Sequence, residues 1–239
     1  MLTRLLPTAR IERLDSTVTG GSRLTKTLSA FRRRDIDILV GTQIIAKGHD
    51  FPGVTLVGAL CADMGLSFPD FRASERTFQL LTQVAGRAGR GTQPGRVFIQ
   101  TWLPEHTALA MAQRQDFTGF AKGELEQRRM RRYPPYTALA LLRFSAPELA
   151  RAEEAASRAR VFVEARAGKY PSGQVELLGP SRAPISYLRN RFRMQLLVRA
   201  DSRATIQAIF RNTGGLLYER IGRSGGLRWS LDIDPVNLM

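Results

Sequence analysis

The first 103 residues alternate between short apolar strands and amphipathic helices, and this alternation constrains the fold more than any other feature of the sequence. Strands are predicted at residues 10–14, 36–40, 54–60 and 96–102, and helices after Gly20-Gly21-Ser22 and over residues 72–85. The first helix places Leu24, Leu28 and Phe31 on one face, which is the spacing of a helix that packs on a sheet. Because strands alternate with helices, the sequence predicts an α/β fold with a parallel sheet and helices on both faces.

The last hundred residues have a different order of predicted elements. Strand, helix, strand, one or two strands, helix and strand are predicted at residues 137–144, 148–167, 175–178, 184–199, 202–217 and 227–233. This β-α-β-β-α-β order is typical of a split-βαβ fold with an antiparallel sheet and helices on one face. Between the two regions lie polar helical stretches that end at Tyr133-Pro134-Pro135-Tyr136, since proline cannot donate to a helix. The predicted divisions are a lobe at 1–103, a helical connector at 104–136 and a smaller α+β domain at 137–239.

A candidate ligand-binding segment follows the predicted strand that ends at Val40. Thr42 offers a hydroxyl and a backbone amide at the carboxyl end of that strand, which is where α/β sheets bind ligands. Further on, Gly48 allows a close backbone approach and Asp50 can accept hydrogen bonds from a ribose. Lys47 has two interpretations, as a ligand contact or as a solvated charge near a helix end.

A second segment, Gln83-Val84-Ala85-Gly86-Arg87-Ala88-Gly89-Arg90, follows the helix predicted over residues 72–85. The two glycines interrupt this helix, so a constrained turn delivers the guanidinium groups of Arg87 and Arg90. A guanidinium is a planar, permanently charged fork that suits phosphate oxygens, and one held in place can stabilise a transferring phosphoryl group. Taken alone, the pair could equally be two solvated surface arginines.

Together the two segments resemble motifs V and VI of superfamily 2 helicases. More specifically, the chain from about Ala9 onward resembles the C-terminal portion of the primosomal replication-restart helicases, the PriA family (primosomal protein N′). The segments that carry this resemblance are Asp70-Phe71-Arg72-Ala73, Arg132-Tyr133-Pro134-Pro135-Tyr136, Leu178-Gly179-Pro180, residues 193–198 and Leu231-Asp232-Ile233-Asp234-Pro235. The resemblance implies that the first region is the second RecA-like helicase lobe, truncated at its start, and that the last region binds DNA.

The resemblance also implies roles for individual residues. Arg87 and Arg90 would be catalytic and contact the γ-phosphate of ATP across the interface between two lobes. The implied nucleotide-binding residues are Gln83, Thr42, Gly48 and Asp50, and the implied DNA contacts in the lobe are Thr42 and Lys47. The family is an ATP-dependent 3′-to-5′ DNA helicase that acts at stalled forks with primosome and single-strand-binding proteins. We expect a cytoplasmic protein, since no apolar stretch is long enough for a membrane span and the apolar part of the N-terminus is too short for a signal peptide.

The basic C-terminal region offers further DNA contacts. The chain has 36 basic and 21 acidic residues, a formal net charge of +15, and this excess favours a polyanion such as DNA. The run Arg189-Asn190-Arg191-Phe192-Arg193 lies at a predicted hairpin, where Arg189, Arg191 and Arg193 would contact phosphates and Phe192 would stack on a base. A solvated basic turn is the alternative. Four arginines at the end of the connector compete for the same role: Arg128, Arg129, Arg131 and Arg132.

Several sequence features limit the chemistry that the chain can perform. It contains no Gly-x-x-x-x-Gly-Lys-Ser/Thr segment to hold phosphates and no Asp-Glu pair after a strand to hold Mg²⁺. Whether the chain acts as an enzyme is therefore uncertain, and ATP and Mg²⁺ would bind only with the N-terminal lobe of the family. A single cysteine, Cys61, excludes the zinc module that the family carries, and an apolar run around it predicts that it is buried. No apolar stretch approaches the ~20 residues that cross a bilayer, so no membrane association is expected.

The remaining polar candidates favour structural roles. His49 and His106 have no neighbours at metal-ligand spacing, and Asp232 and Asp234 alternate along a predicted strand, where we expect them to brace arginines. Three functional interpretations stay open from the sequence. The first is the C-terminal part of a replication-restart helicase, the second is a stand-alone DNA-fork-binding module without motor activity, and the third is another superfamily 2 translocase.

Overall fold

The structure is a computed structural model that describes residues 2–14, 21–42, 51, 53–86, 88, 94–211, 217, 219, 221–222 and 226–238. The chain divides into two compact units. The first is formed by Met1–Phe68 and Ala73–Ala121, and the second by Pro69–Arg72 and Lys122–Met239. Residues of the predicted connector, 104–136, contribute to both units.

The first unit is a mixture of short strands and helices. Its elements are α1 (Leu2–Leu5), β1 (Ile11–Leu14), α2 (Gly21–Arg32), β2 (Ile38–Gly41), β3 (Leu56–Ala59), α3 (Asp63–Leu66), α4 (Ala73–Ala85), β4 (Arg96–Ile99) and α5 (Thr107–Arg114). Helix α6 (Phe117–Met130) begins in this unit and ends in the second.

The strands of the first unit pair in parallel, as the alternation of strands and helices predicted. Strand β1 pairs with β2 and strand β3 pairs with β4. Each pair is joined by a connection that contains a helix, because a parallel pair needs a crossover. The α/β fold class is confirmed, and in the described part of the first unit the strands form two parallel pairs.

Helix α4 packs through one face because its apolar residues recur at helical spacing. Its buried residues are Ala73, Thr77, Phe78 and Leu81. The Phe78 ring lies parallel to that of Phe120 on α6, with 4.1 Å between their centroids. Side chains of α5 complete this core. The packing fixes the helix that leads into the Gln83 segment.

Within the described residues, the second unit contains a four-stranded antiparallel sheet that packs against helices. Its elements after α6 are β5 (Ala138–Ala146), α7 (Leu149–Ala167), β6 (Val175–Tyr187), β7 (Phe192–Ala200), α8 (Arg203–Phe210) and β8 (Arg228–Ile233). The strand order in the sheet is β6-β7-β5-β8. This is the split-βαβ arrangement that the sequence predicted.

The two faces of this sheet are covered differently. Alternate residues of β5 point to opposite faces. Those on the first face pack in the main core with α7 and α8, through an alanine-rich stripe on α7. On the second face, Leu139 and Leu141 form a smaller cluster with Leu197, Leu238 and the partly buried Phe71 and Tyr133. Strand β5 is almost continuously apolar because it is buried on both sides.

Residues 69–72, here called the anchor segment, join this second cluster. The Asp70 carboxylate is 7% exposed and accepts the backbone N–H groups of Arg72 at 2.8 Å and of Leu238 at 3.1 Å. The Arg72 guanidinium donates to the carbonyl of Pro235 at 2.9 Å. The Phe71 ring stacks on that of Tyr133, with 4.8 Å between centroids and 6° between planes. The anchor segment is thus held in the second unit immediately before helix α4 begins.

Strand β6 is longer than predicted because it runs through Gly179 and Pro180, residues that read locally as a break. Its pairing with β7 shifts register between Leu178 and Ser181. Gly179 has φ +103, and a Cβ there would lie 2.9 Å from the Ser181 nitrogen. The strand tolerates the proline because β6 is an edge strand, where one ladder hydrogen bond is dispensable.

The prediction that Cys61 is buried is wrong. Cys61 follows the end of β3 with φ 51 and its thiol is free and exposed. The left-handed backbone at this position turns the chain out of the strand before the side chain reaches the core. Within the described residues, no helix has the length and apolar composition needed to cross a membrane.

Candidate functional site

The first predicted ligand segment begins where the structure places the end of a parallel strand. Thr42 directly follows β2 and is exposed, so its hydroxyl and amide are accessible at the carboxyl end of the strand. Lys47, Gly48 and Asp50 lie outside the described residues. Their nucleotide and DNA contacts therefore stay predictions.

The second segment starts in the last turn of α4. Gln83 is exposed, whereas Phe78 and Leu81 of the same helix are buried. The Gly86 N–H donates to the Thr82 carbonyl at 3.0 Å, which extends the helical hydrogen bonding to the first glycine of the segment. Arg87 and Arg90 lie outside the described residues. The rigid helix thus brings the chain to the point at which the two arginines follow.

A carboxylate links the carboxyl ends of β3 and β4. Asp63, in the first turn of α3, accepts hydrogen bonds from the Thr101 hydroxyl and from the Trp102 N–H at 3.0 Å. The Thr101 hydrogen bond, followed by the Trp102 one, lowers the pKa of Asp63. The charge fixes the two loops against each other. Sequence reasoning did not single out Asp63, because its partners are 38 and 39 residues away.

The basic run of the C-terminal region forms the predicted hairpin, and two residues make up its tip. Leu188 and Arg191 exchange two backbone hydrogen bonds, at 3.0 and 3.2 Å, across the tip between β6 and β7. The tip residues Arg189 and Asn190 have φ 52 and 57. Positive φ at both central residues defines the type I′ turn that matches the twist of a hairpin. Arg189 is exposed at this tip.

Arg191 is tied into the domain by backbone acceptors. Its guanidinium donates to the Ser145 carbonyl at 2.6 Å and to the carbonyl of Gly226. Nε also lies 3.3 Å from the Ser145 hydroxyl. These acceptors carry no formal charge, so the positive charge of Arg191 is held in place without being neutralised by them.

Phe192 and Arg193 lie on opposite faces of the sheet, since successive strand residues alternate. Phe192 contacts Tyr187 across the hairpin, with 4.9 Å between ring centroids. Arg193 lies on the face away from the helices, where Nη1 donates to the Ile185 carbonyl at 3.4 Å. The hairpin therefore separates the predicted stacking residue from the predicted phosphate contact at Arg193.

A polar recess of about 240 Å³ lies on the second face of the sheet. This cavity is here called the arginine recess. Phe144 and Trp229 contribute to its lining, and the polar residues that line it are Arg143, Ser145, Arg193, Arg228 and Ser230. Sequence reasoning named only Arg193 in this group. One sequence signal could have indicated this site: Arg143 is a charged residue in the largely apolar strand β5. Local sequence does not show, however, which strands lie beside β5.

The competing arginines at the end of α6 have internal partners. Arg128 forms a 2.8 Å ion pair with Glu124 and lies over the Phe71 ring, with 5.0 Å from its guanidinium carbon to the ring centroid. Arg132 donates to Asp201 at 2.7 Å and to the Gly173 carbonyl. These contacts hold the end of α6 and the turn after it within the second unit, so Arg128 and Arg132 are less available for phosphate.

The two aspartates near the C-terminus brace arginines, which confirms that prediction. Asp232 pairs with Arg143 at 3.3 Å and Asp234 with Arg203 at 2.9 Å. The expectation that both lie on one strand is wrong, because β8 ends at Ile233 and Asp234 has φ 56.

His106 also has a structural role. Its Nδ1 accepts the Ala108 N–H at 3.2 Å as the N-cap of α5. His49 lies outside the described residues. In the part of the chain that the structure describes, no three His, Cys, Asp or Glu side chains lie together as a metal site.

Two family models match successive parts of the chain. The helicase conserved C-terminal domain matches residues 1–92, and the primosomal protein N C-terminal domain matches residues 129–236. Curated relatives match along nearly the whole chain. The replication restart protein PriA of Bacillus subtilis is 41% identical over 100% of this chain, that of Treponema pallidum 39% over 98%, and that of Synechocystis 40% over 99%.

The matched regions lie in only part of each relative. The chain covers 29% of the Bacillus subtilis protein, 35% of the Treponema pallidum protein and 27% of the Synechocystis protein. The order of the two matched domains agrees with the α/β unit followed by the split-βαβ sheet. The chain therefore belongs to the PriA family of replication restart proteins and corresponds to its C-terminal portion, a helicase C-terminal domain followed by the PriA C-terminal domain.

Proposed function

We propose that this chain is the C-terminal part of an ATP-dependent superfamily 2 DNA helicase that acts in replication restart and primosome assembly at stalled forks. The observation that carries the proposal is the ordered match of a helicase C-terminal domain and a PriA C-terminal domain, together with relatives about 40% identical along the chain. In this proposal the first unit supplies motifs V and VI and the second supplies DNA contacts.

The nucleotide-facing role belongs to the first unit. Arg87 and Arg90 contact the γ-phosphate, Gln83 and Thr42 contribute polar groups, and Gly48 and Asp50 approach the nucleotide. Support comes from two exposed residues. Thr42 lies at the end of a strand, and Gln83 lies near the end of a helix whose other face is buried. When bound, ATP with Mg²⁺ supplies the phosphoryl group whose charge the arginines stabilise.

A separate lobe has to hold ATP and Mg²⁺. The sequence contains no Gly-x-x-x-x-Gly-Lys-Ser/Thr loop, and the described residues offer no acidic cluster for the metal. The chain alone then turns over ATP at no more than background rate, and it becomes active when an N-terminal helicase lobe completes the site.

The DNA-facing role is shared between the units. Thr42 and Lys47 contact the strand in the lobe, and the hairpin residues Arg189, Arg191 and Phe192 and the neighbouring Arg193 contact it in the C-terminal domain. Support comes from the exposed Arg189 tip, the exposed Tyr187 beside Phe192, and the net charge of +15. Forked or single-stranded DNA is the substrate, the cytoplasm is the place of action, and primosome and single-strand-binding proteins are the proposed partners.

The test is an unwinding assay with a fused protein. The N-terminal portion of the Bacillus subtilis relative is joined to this chain, and the ATP-dependent separation of a forked duplex is measured. The proposal expects unwinding by the fusion and none by either part. The alternative, a stand-alone fork-binding module, is not favoured because residues 1–92 match a helicase domain, and it would be supported instead if the chain bound forks but no fusion unwound them.

A further inference from the structure

The sheet of the second unit carries a regular array of polar side chains on the face away from α7 and α8. Ser145 lies opposite Arg193 on one neighbouring strand and opposite Arg228 on the other. Arg143 lies two residues before Ser145 on the same strand and therefore on the same face, and it is opposite Gln195 and Ser230. The array is therefore three strands wide and two positions deep, and all six side chains are polar.

The spacing of this array brings three arginines within reach of one anion. Neighbouring strands lie ~4.8 Å apart and residues i and i+2 lie ~6.7 Å apart, so the three Cα atoms fit within ~10 Å of one another. Arginine side chains extend far enough to converge across that distance. The recess of about 240 Å³ that they line has room for a phosphate group with its two ester links.

The charge in the recess is not balanced by the carboxylates around it. Arg143 pairs with Asp232 at 3.3 Å, and the side chain of Asp232 is itself 44% exposed. The Arg193 guanidinium has a carbonyl acceptor at 3.4 Å. The Arg228 guanidinium has no hydrogen bond or ion pair to another residue within the described ranges, although its backbone belongs to the sheet. Arg191 adds a further positive charge beside Ser145, held by carbonyl groups.

We infer that the arginine recess is a binding site for a phosphodiester of single-stranded DNA, with Arg193 and Arg228, which have no carboxylate partner among the described residues, as its two guanidinium forks. The inference rests on the proposed function and makes it more specific, because it places a strand on the open face of the sheet rather than on the hairpin tip alone. Guanidinium forks and hydroxyl donors match phosphate oxygens. Arg143 positions the floor of the site through its contacts with Asp232 and Asn237.

The test compares single-stranded DNA binding by the 239-residue chain and by a variant with Arg193→Gln and Arg228→Gln, using fluorescence anisotropy of a labelled 20-nucleotide strand. The dissociation constant of the variant rises roughly tenfold at low salt, and the slope of log Kd against log salt falls by about 0.7 for each phosphate that the variant no longer neutralises. A matched control removes the same charge from α7, on the opposite face, through Arg151→Gln and Arg158→Gln; both side chains are exposed. The control changes Kd by roughly twofold or less, because distant charges are screened.

Two further variants separate the site from general charge and from misfolding. Ser230→Glu places a carboxylate in the recess without removing an arginine, and it also weakens binding. Replacing Arg193 and Arg228 by lysine keeps the salt slope but weakens binding, since a lysine lacks the bidentate fork.

The outcomes distinguish failure of the inference from failure of the proposed function. Equal affinity and equal salt slope for the chain and its Gln variant overturn the recess site while the chain's DNA binding stands. A polyglutamate peptide that loses affinity for the chain in the Gln variant, at equal ionic strength, while single-stranded DNA keeps its affinity, overturns it in favour of a protein ligand. No binding of single-stranded or forked DNA by the wild-type chain overturns both this site and the proposed DNA-facing role.

Discussion

Replacement of the buried carboxylate in the anchor segment tests how the second unit is held together. Asp70 is 7% exposed and accepts two backbone N–H groups, from Arg72 at 2.8 Å and from Leu238 at 3.1 Å. Asp70→Ala removes both acceptors. Hydrogen bonds to charged groups are worth about 1.5–3 kcal/mol each, and the buried Leu238 N–H would be left unsatisfied, whereas the Arg72 N–H can be rehydrated. The expected loss in free energy of unfolding is therefore about 2–4 kcal/mol.

Tryptophan fluorescence during urea denaturation measures this loss. Trp102, in the first unit, is 88% exposed, and Trp229 is partly buried in the second unit. In a Trp102→Phe background, Trp229 alone reports the second unit. The same loss corresponds to a fall in Tm of roughly 8–16 °C.

Two variants control the interpretation of the Asp70 measurement. Asp70→Asn keeps one acceptor oxygen and recovers part of the stability. Asp116→Ala removes an exposed carboxylate that accepts the Gly119 N–H in the first unit, and it costs the Trp229 transition less than about 1 kcal/mol. If Asp70→Ala shifts that transition no more than Asp116→Ala does, the carboxylate does not hold the anchor segment.

Local contacts at three other places give further predictions. The side-chain hydrogen bond from Arg10, followed by its backbone hydrogen bond, lowers the pKa of Asp37 to about 2, so the stabilising effect is present above the ordinary carboxyl pKa and is lost as the pH falls towards 2. NMR titration should show this pKa rising part of the way to its ordinary range in Arg10→Gln, because the backbone N–H of residue 10 still donates to Asp37. A wild-type value near 4 would contradict the ion pair. Phe78→Ala removes the ring stacked on Phe120 and should destabilise the first unit by about 3–5 kcal/mol in thermal denaturation, so a loss below about 1 kcal/mol would show that the core is not packed around it. Arg189 has a left-handed backbone at the hairpin tip, a conformation that glycine adopts without strain. Arg189→Gly should therefore leave the urea midpoint unchanged or raised while weakening DNA binding. A lowered midpoint would argue against the type I′ turn.

Local pattern was sufficient to predict most of the elements. The helix expected at residues 72–85 is Ala73–Ala85, and the β-α-β-β-α-β order of the C-terminal region is confirmed. These elements are readable because their apolar periodicity follows one buried face. The sequence did not predict that β6 runs through Gly179 and Pro180. The strand accommodates the proline because β6 lies at the edge of the sheet, and this position depends on its pairing with β7, which local sequence does not show.

Sites formed across strands were harder to predict than sites formed along the chain. Thr42 and Gln83 belong to contiguous motifs, and both are exposed as a ligand contact requires. The arginine recess joins Arg143, Arg193 and Arg228 from three strands, and only the register of the sheet shows that they share a face. Local sequence shows which side chains of a strand share a face, but it does not show which strands are neighbours in the sheet.

We propose that Arg87 and Arg90 contribute to an ATP site that an N-terminal helicase lobe completes, and ATP hydrolysis in the presence of DNA tests this claim most directly. The rate is measured for the chain alone, for its fusion to the N-terminal portion of the Bacillus subtilis relative, and for that fusion with Arg87→Ala. Arg114→Ala, at an exposed arginine in the last turn of α5, is the control. We expect background hydrolysis from the chain, DNA-stimulated hydrolysis from the fusion, and a loss of about 10³-fold or more with Arg87→Ala but not with Arg114→Ala. DNA-stimulated hydrolysis by the chain alone, or an unchanged rate in the Arg87→Ala fusion, would contradict the claim.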